Sequence, residues 1–298
     1  MMTAPTGILL VDKSPGQTSA QAVGAMRRLF GGAKAGHAGT LDPMATGLLT
    51  MLLGEAASFA RFMRSDKMYL AEVKFGEATD TEDACGQVVS HAALPPQWER
   101  RLEETLPRFV GDTEQTAPMH SALKYRGKPL YYYARRGLPA PAKRRPVRVY
   151  ELRLESTSDH RAVLFIHCGG GFYVRSLARD LGEILGCGAH LSALRRLHCA
   201  PFDVAQAYTV DAWQKLPTTA QKSAVLPIES ALQHLPAKTI DGLRLRALAH
   251  GRREEKTDVD GESALVRLLS ASGRFAGVAL AGARWLLPQK MLSWTREN

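Results

Sequence analysis

The chain has 298 residues, 45% of them hydrophobic, enough for a catalytic domain with its own core and a small appended module. Its longest apolar runs, residues 8–11 and 48–53, are far too short to cross a bilayer, and no basic stretch followed by an apolar one opens the chain, so the expectation is a cytoplasmic protein with no membrane partner. Lys and Arg outnumber Asp and Glu 39 to 29, a formal net charge of +10, which favours a polyanionic partner; no strongly amphipathic basic helix stands out, which puts nucleic acid ahead of a membrane surface.

In chain order, residues 7–12 read as a short buried strand. Ser14-Pro15-Gly16 is a turn, and Thr18 or Ser19 can cap a helix running to about residue 29. A glycine-rich loop occupies 31–47, an apolar strand 48–53 and a helix 55–63. Alternation marks a strand over 69–75, an acidic loop fills 77–83, and helical spacing returns over 98–109. Strands follow at 148–155 and 162–168, then a helix over about 172–185. Strands mixed with helices without strict βαβ alternation predict an α+β catalytic domain with a mixed or antiparallel sheet. Pro227 and Pro236 bracket a boundary, which gives a catalytic domain over 1–232 and a second unit over 237–298. That unit reads as a helix near 243–250 and short strands at 264–269, 275–281 and 284–287, the pattern of a small β-barrel.

Residues 118–148 have a different composition. They contain nine Lys or Arg residues, four tyrosines and no acidic residue, with many Pro and Gly. Cations such as Lys124, Arg126 and Lys128 suit phosphates, and flat rings such as Tyr125, Tyr131, Tyr132 and Tyr133 suit unstacked bases. The plainer reading is a solvated basic loop whose tyrosines, taken one at a time, pack on the core beneath. Cys187, His190, His198 and Cys199 lie close in sequence, but their spacing matches no common zinc finger, so the four cysteines read as reduced structural thiols. Glu77, Asp80, Glu82 and Asp83 lack the spacing of a calcium loop and read as a solvated acidic loop.

The loop Gly36-His37-Ala38-Gly39-Thr40-Leu41-Asp42-Pro43-Met44-Ala45-Thr46-Gly47-Leu48-Leu49 fails as a phosphate loop, since Lys34 is not in the Gly-Lys-Ser/Thr context, and no dinucleotide fingerprint is present. It carries one carboxylate, Asp42, with no second acid beside it in sequence for paired hydrolysis. On physical grounds alone Asp42 could equally be a turn or helix-cap residue.

This loop resembles the signature of the TruB-type tRNA pseudouridine synthases, G-H-T-G-T-L-D-P-x-A-T-G-x-L. The resemblance extends along most of the chain, through Leu10-Val11-Asp12-Lys13, Asp66-Lys67-Met68-Tyr69, Ser121-Ala122-Leu123-Lys124-Tyr125, Gly171-Phe172-Tyr173-Val174-Arg175-Ser176, and the block from Gly186 to Arg196. Ala38 stands where the family usually has threonine, and Ser14-Pro15 replaces a more usual Pro-x; both affect local loop geometry only.

The resemblance implies that the N1–C1′ bond of a uridine is broken and the uracil rejoined through C5, without metal or cofactor, on a base flipped out of the RNA. It makes Asp42 the nucleophile or base, by attack at C1′, removal of a ribose proton or addition at C6. It makes Arg175 the partner whose charge keeps Asp42 ionised, and Tyr69 the ring that stacks on the uracil, with a hydroxyl able to assist proton loss from C5. His37, Tyr173 and Leu194 would line the pocket, Lys124 would grip RNA within the insertion, and Lys13 would reach a phosphate or brace the catalytic loop. The C-terminal unit looks like a PUA-type RNA-binding module. The implied substrate is the T-arm stem-loop of tRNA, modified at position 55, and the sequence calls for neither a protein partner nor more than a monomer. The competing reading is a non-catalytic RNA-binding protein or tRNA-folding chaperone; a nucleotide hydrolase would need the phosphate loop and metal carboxylates that the sequence lacks.

Overall fold

Strands Gly7–Lys13 and Thr46–Leu53 are apolar on both faces, and the fold uses both faces. They pair antiparallel, Gly7 opposite Leu53 and Lys13 opposite Gly47, as the second and third strands from one end of a ten-stranded mixed sheet. Leu9, Val11, Leu49 and Met51 enter one core, while Ile8, Leu10, Leu48 and Leu52 enter another on the opposite side. A strand buried on both faces reads as a continuous apolar run, not an alternating one. In the computed structural model, residues 5–255 and 263–296 are described.

The sheet order is Tyr208–Thr209, Gly7–Lys13, Thr46–Leu53, Ala189–Cys199, Lys67–Phe75, Arg161–Cys168, Arg144–Ser158, Gly111–Thr116. Two of these pairings are parallel, the rest antiparallel. Lys67–Phe75 alternates, sending Tyr69, Ala71, Val73 and Phe75 inward. Helix α1 (Ser19–Leu29) is capped by the Thr18 side chain, with Gln21 completing a capping box. Helix α2 is Trp98–Thr105, and α3 is the five-residue helix Leu130–Ala134. Helix α4 (Val174–Leu185) buries Val174, Leu177, Ala178, Leu181 and Leu185, one helical face laid on the sheet.

Three elements differ from their sequence reading. The helix expected over 55–63 is a 3-10 helix, Gly54–Phe62. The one expected over 98–109 breaks after Thr105 into a 3-10 turn, Leu106–Phe109, where Pro107 cannot donate to the helix. The strand expected from 148 begins at Arg144, because the returning arm of the basic insertion pairs with Gly111–Thr116.

The C-terminal residues form a curled five-stranded sheet, ordered Ala237–Ile240, Ala264–Ser270, Phe275–Ala281, Trp285–Met291, Glu254–Glu255, with helix Gly242–Ala249 against it. This PUA-like half-barrel docks on the back of the large sheet. Phe275 meets Phe59 at 5.6 Å between ring centroids, and Glu55 accepts from the Ser293 amide and hydroxyl at 2.9 and 2.7 Å.

Candidate active site

The loop between the short strand Ala35–His37 and the strand Thr46–Leu53 is held by three side chains and a backbone amide. Lys13, fully buried, donates to the carbonyls of Ser14, Gln17 and Pro43 at 2.9, 2.7 and 3.1 Å. The Gly16 amide donates to the same Pro43 carbonyl at 2.9 Å. Ser19 Oγ both donates to the carbonyl and accepts from the amide of Leu41, each at 2.9 Å. Arg196, 1% exposed, donates to the carbonyls of Leu48, Gly39 and Thr40 at 2.6, 3.1 and 3.4 Å. Gly47 permits this approach: its φ is +97°, and a Cβ there would lie 2.2 Å from the Arg196 carbonyl oxygen.

Asp42 is therefore carried on fixed backbone, and its carboxylate meets Arg175 side-on. Arg175 Nε lies 2.9 Å from Oδ2, and Nη2 donates to Oδ1 at 3.2 Å. Arg175 comes from the first turn of α4 and is 6% exposed. Its remaining donors reach the carbonyls of Thr81 at 3.2 Å and His120 at 3.0 Å. Asp83 Oδ2 stands 3.8 Å from the same Nε. In space, then, Asp42 is not an isolated acid: one buried arginine is shared by two carboxylates.

The acidic loop is accordingly not the solvated segment its composition suggested. Glu82 pairs with Arg179 at 2.6 Å and accepts from Ser176 Oγ at 3.2 Å. Asp83 is buried and accepts from Thr81 Oγ1 and the Cys85 amide at 2.7 and 3.0 Å. The partners of Glu82, and the Arg175 that Asp83 approaches, lie about a hundred residues away on α4, where no local pattern could show them.

A cavity of about 270 Å³ opens over the pair. Asp42, Arg175, Tyr69, Tyr173, Leu194, Lys67 and Arg196 line it, and His120, Ser121 and Ala122 at the root of the insertion cover one side. Burial pushes the Asp42 carboxyl above its ordinary range; Arg175 pulls it down and Asp83 pushes it up. Arg175 thus acts in the expected direction but does not outweigh desolvation. Burial likewise pushes the Tyr69 phenol up to about 12, although Arg196 lies beside it, so the phenol is uncharged at neutral pH.

This constellation can be set beside known proteins. Residues 27–174 match the TruB family pseudouridylate synthase N-terminal domain, and residues 175–233 the tRNA pseudouridylate synthase B C-terminal domain. The tRNA pseudouridine synthase B of Haemophilus influenzae is 40% identical over 296 residues, covering 96% of this chain and 95% of that one. The chain belongs to the TruB family. The Chromohalobacter salexigens tRNA pseudouridine synthase B is 43% identical over 250 residues, covering 84% of this chain and 81% of its own. The chain is thus an isomerase of the tRNA pseudouridine synthase class, acting on uridine in tRNA. Among solved structures, an archaeal box H/ACA Nop10-Cbf5 complex aligns with a TM-score of 0.71 at 21% identity, covering 98% of this chain and 87% of that one. A Cbf5-Nop10-Gar1 complex aligns at 0.69 and 24% identity, covering 98% and 81%. At that identity the likeness establishes the fold, here of a pseudouridine synthase.

Against this TruB framework the remaining sequence candidates divide. Asp42, Arg175, Tyr69, Tyr173 and Leu194 converge on the cavity. His37 sits on its short strand away from the cavity lining, half-buried, with Nδ1 lacking a partner. Lys13 directs its donors at three carbonyls, which favours the brace over the phosphate contact. Lys124 is exposed on a hairpin of Lys124–Tyr125 and Lys128–Pro129, outside the lining. The insertion's tyrosines are not core: Tyr131 is exposed, and Tyr132 lies under Arg136 at 3.9 Å and Lys128 at 5.4 Å. Cys187 and Cys199 flank the eleven-residue strand Ala189–Cys199 at opposite ends, about 30 Å apart at strand rise, too far to share an ion. His190 Nδ1 faces the Glu77 carbonyl at 3.0 Å, and His198 pairs with Asp203 at 2.9 Å.

Sequence reasoning missed three residues that build the site. Asp83 was assigned to solvent, and Arg196 was read only as part of a motif. Gln115 carried no signal at all, yet its amide exchanges hydrogen bonds of 2.8 and 2.9 Å with both backbone groups of Tyr173, fixing the entry to α4.

Proposed function

We propose that this enzyme isomerises the uridine at position 55 in the T-loop of tRNA, with Asp42 acting on the flipped-out nucleotide. The observation that carries this is the side-on Asp42–Arg175 pair at the floor of a cavity walled by Tyr69, Tyr173 and Leu194. Binding alone has no need of a carboxylate clamped on a braced loop. Asp42 initiates cleavage of the N1–C1′ bond; the uracil turns within the cavity, C5 bonds to C1′, the C5 proton leaves and N1 gains a proton. Arg175 orients the carboxylate and lowers its pKa against desolvation. Tyr69 supplies a neutral stacking face, and its protonated hydroxyl is a donor at the outset.

The T-arm is read as a folded stem-loop, through backbone and shape, by the basic insertion and the PUA-like sheet. The enzyme is read as a monomer working without an obligatory protein partner in the cytoplasm, where tRNA is modified. Metal and cofactor have no part in the reaction as drawn. The test is Asp42→Asn on an unmodified tRNA transcript, with pseudouridine mapped by position. Binding survives, and turnover falls by at least about 10³-fold. Near-normal turnover refutes the role of Asp42, and wild-type modification only at other positions refutes the T-loop assignment.

A further inference from the structure

The strand Arg144–Ser158 returns the insertion to the sheet with Arg145 directly opposite Gln115. Opposed residues of an antiparallel pair share a face, and both side chains reach the segment that opens α4. Gln115 holds the Tyr173 backbone. The Arg145 guanidinium carbon stands 6.0 Å from the Tyr173 ring centroid. It also rests on Gly171: a Cβ at that residue, whose φ is +87°, would lie 2.2 Å from Arg145 Nη2 and 2.5 Å from Cζ. Gly171 and Tyr173 both line the cavity, so Arg145 sits at its rim.

What separates Arg145 from its neighbours is a buried Nε combined with the lack of an anion. On the same strand Arg148 pairs with Asp112 at 3.2 Å and Arg153 with Glu151 at 3.0 Å, while Arg161 on the next strand pairs with Glu72. No carboxylate among the described residues lies within 4.0 Å of Arg145, and its Nε is buried without an acceptor. A partly buried, uncompensated guanidinium is unfavourable, and a charged ligand oxygen offsets that cost. A nucleotide flipped into the cavity turns about its flanking phosphates, and one of them must pass the rim. Phosphate contacts fix register in nucleic-acid complexes, and the planar guanidinium fork matches a phosphate with two donors.

We propose that Arg145 grips the backbone phosphate beside the flipped uridine and so sets the rotation of that nucleotide into the cavity. This rests on the reading that the T-loop uridine enters the cavity, and it adds a phosphate subsite at the rim. The test uses T-arm stem-loop RNAs carrying a single neutral methylphosphonate on either side of the target uridine, with wild type, Arg145→Gln, Arg145→Lys and, as a paired control, Arg153→Gln.

On unmodified RNA, Arg145→Gln lowers kcat/KM roughly tenfold, as expected for one lost charge-assisted contact. Arg145→Lys recovers part of it. One methylphosphonate costs wild type and Arg153→Gln a similar factor but costs Arg145→Gln nothing further, so the two losses are not additive. The melting temperature of Arg145→Gln stays at or above that of wild type, which a merely structural role does not allow. Additive losses at both phosphates overturn the assignment, as does a melting-temperature drop that accompanies an equal loss on every RNA. If wild type leaves the T-arm uridine unchanged, the functional reading itself fails. If wild type converts it and the losses are additive, the Arg145 subsite alone falls.

Discussion

The catalytic loop and the basic insertion face each other across the cavity, and they spend polar groups in opposite ways. In the loop, the cations and the hydroxyl are buried and aimed at backbone: Lys13, Ser19 and Arg196 together bond eight main-chain groups. In the insertion, the cations stay near the surface and stack on rings, as Arg126 does on Tyr125 at 5.3 Å and Arg135 on Tyr131 at 5.4 Å. The insertion holds itself together locally, through the Tyr133 hydroxyl on the Tyr125 carbonyl at 3.0 Å and the buried Leu130. The first arrangement fixes one carboxylate in place. The second keeps positive charge at the surface, available to a polyanion. Among the described residues, the insertion bonds directly to the Asp42–Arg175 pair through His120, whose carbonyl accepts from Arg175.

If the loop is the rigid half, removing its central brace has the largest effect. Arg196→Met keeps apolar bulk but leaves the carbonyls of Gly39, Thr40 and Leu48 without that donor. The expected cost is about 3 kcal/mol of stability, a fall of roughly 6–12 °C in Tm. Displacement of Asp42 by even a fraction of its contact distance lowers kcat by about 10²-fold. Thermal melting and single-turnover kinetics on the tRNA transcript check both. A variant that melts like wild type and turns over normally breaks the claim that the loop depends on Arg196.

The next effect is electrostatic. In its proposed role Asp42 acts ionised, and its pKa is raised in the folded protein, by burial first and by Asp83 in addition. The acid limb of kcat/KM therefore lies above the usual aspartate range, and activity is lost as pH falls through that raised value. Asp83→Asn removes one of the upward influences, so the limb moves to lower pH. The plateau also falls, because Arg175 loses the anion 3.8 Å from its Nε. Asparagine can still accept from Thr81 and Cys85, so the loop fold is kept. A pH–rate profile whose limb stays in place or moves upward contradicts the coupling of Asp83 to Asp42.

The parts legible in the sequence were those with a local or motif signal. The strand of residues 7–12 and the helix capped at Thr18 were visible because apolar runs and caps are contiguous. Asp42, Arg175, Tyr69, Tyr173 and Leu194 were placed by resemblance to a family, and the fold brings all five to one cavity. Physical pattern alone left Asp42 a turn residue. What stayed hidden depends on pairings far apart in the chain: Asp83 beside Arg175, Gln115 on Tyr173, and Arg196 under the loop. A charge on an apparently acidic loop looks solvated until the helix that neutralises it is folded against it. For Lys13 the motif left two readings open, a phosphate contact or a brace of the loop, and its complete burial and three carbonyl acceptors favour the brace.

The smallest effect belongs to the insertion, and it sharpens the contrast most. Lys124 is exposed, and no hydrogen bond or ion pair of its ammonium is found among the described residues. Lys124→Ala should change stability by no more than about 0.5 kcal/mol. If the insertion works by charge, tRNA binding weakens several-fold at low salt and the loss shrinks as salt rises. The slope of log K against log salt then falls by about 0.7–1, the signature of one lost phosphate contact. Single-turnover rate at saturating RNA stays at the wild-type value, because the substitution leaves the braced loop and its carboxylate untouched. A Lys124→Ala variant that binds normally but turns over slowly would place the insertion's charge inside the chemistry, and the division of labour between the two regions would have to be redrawn.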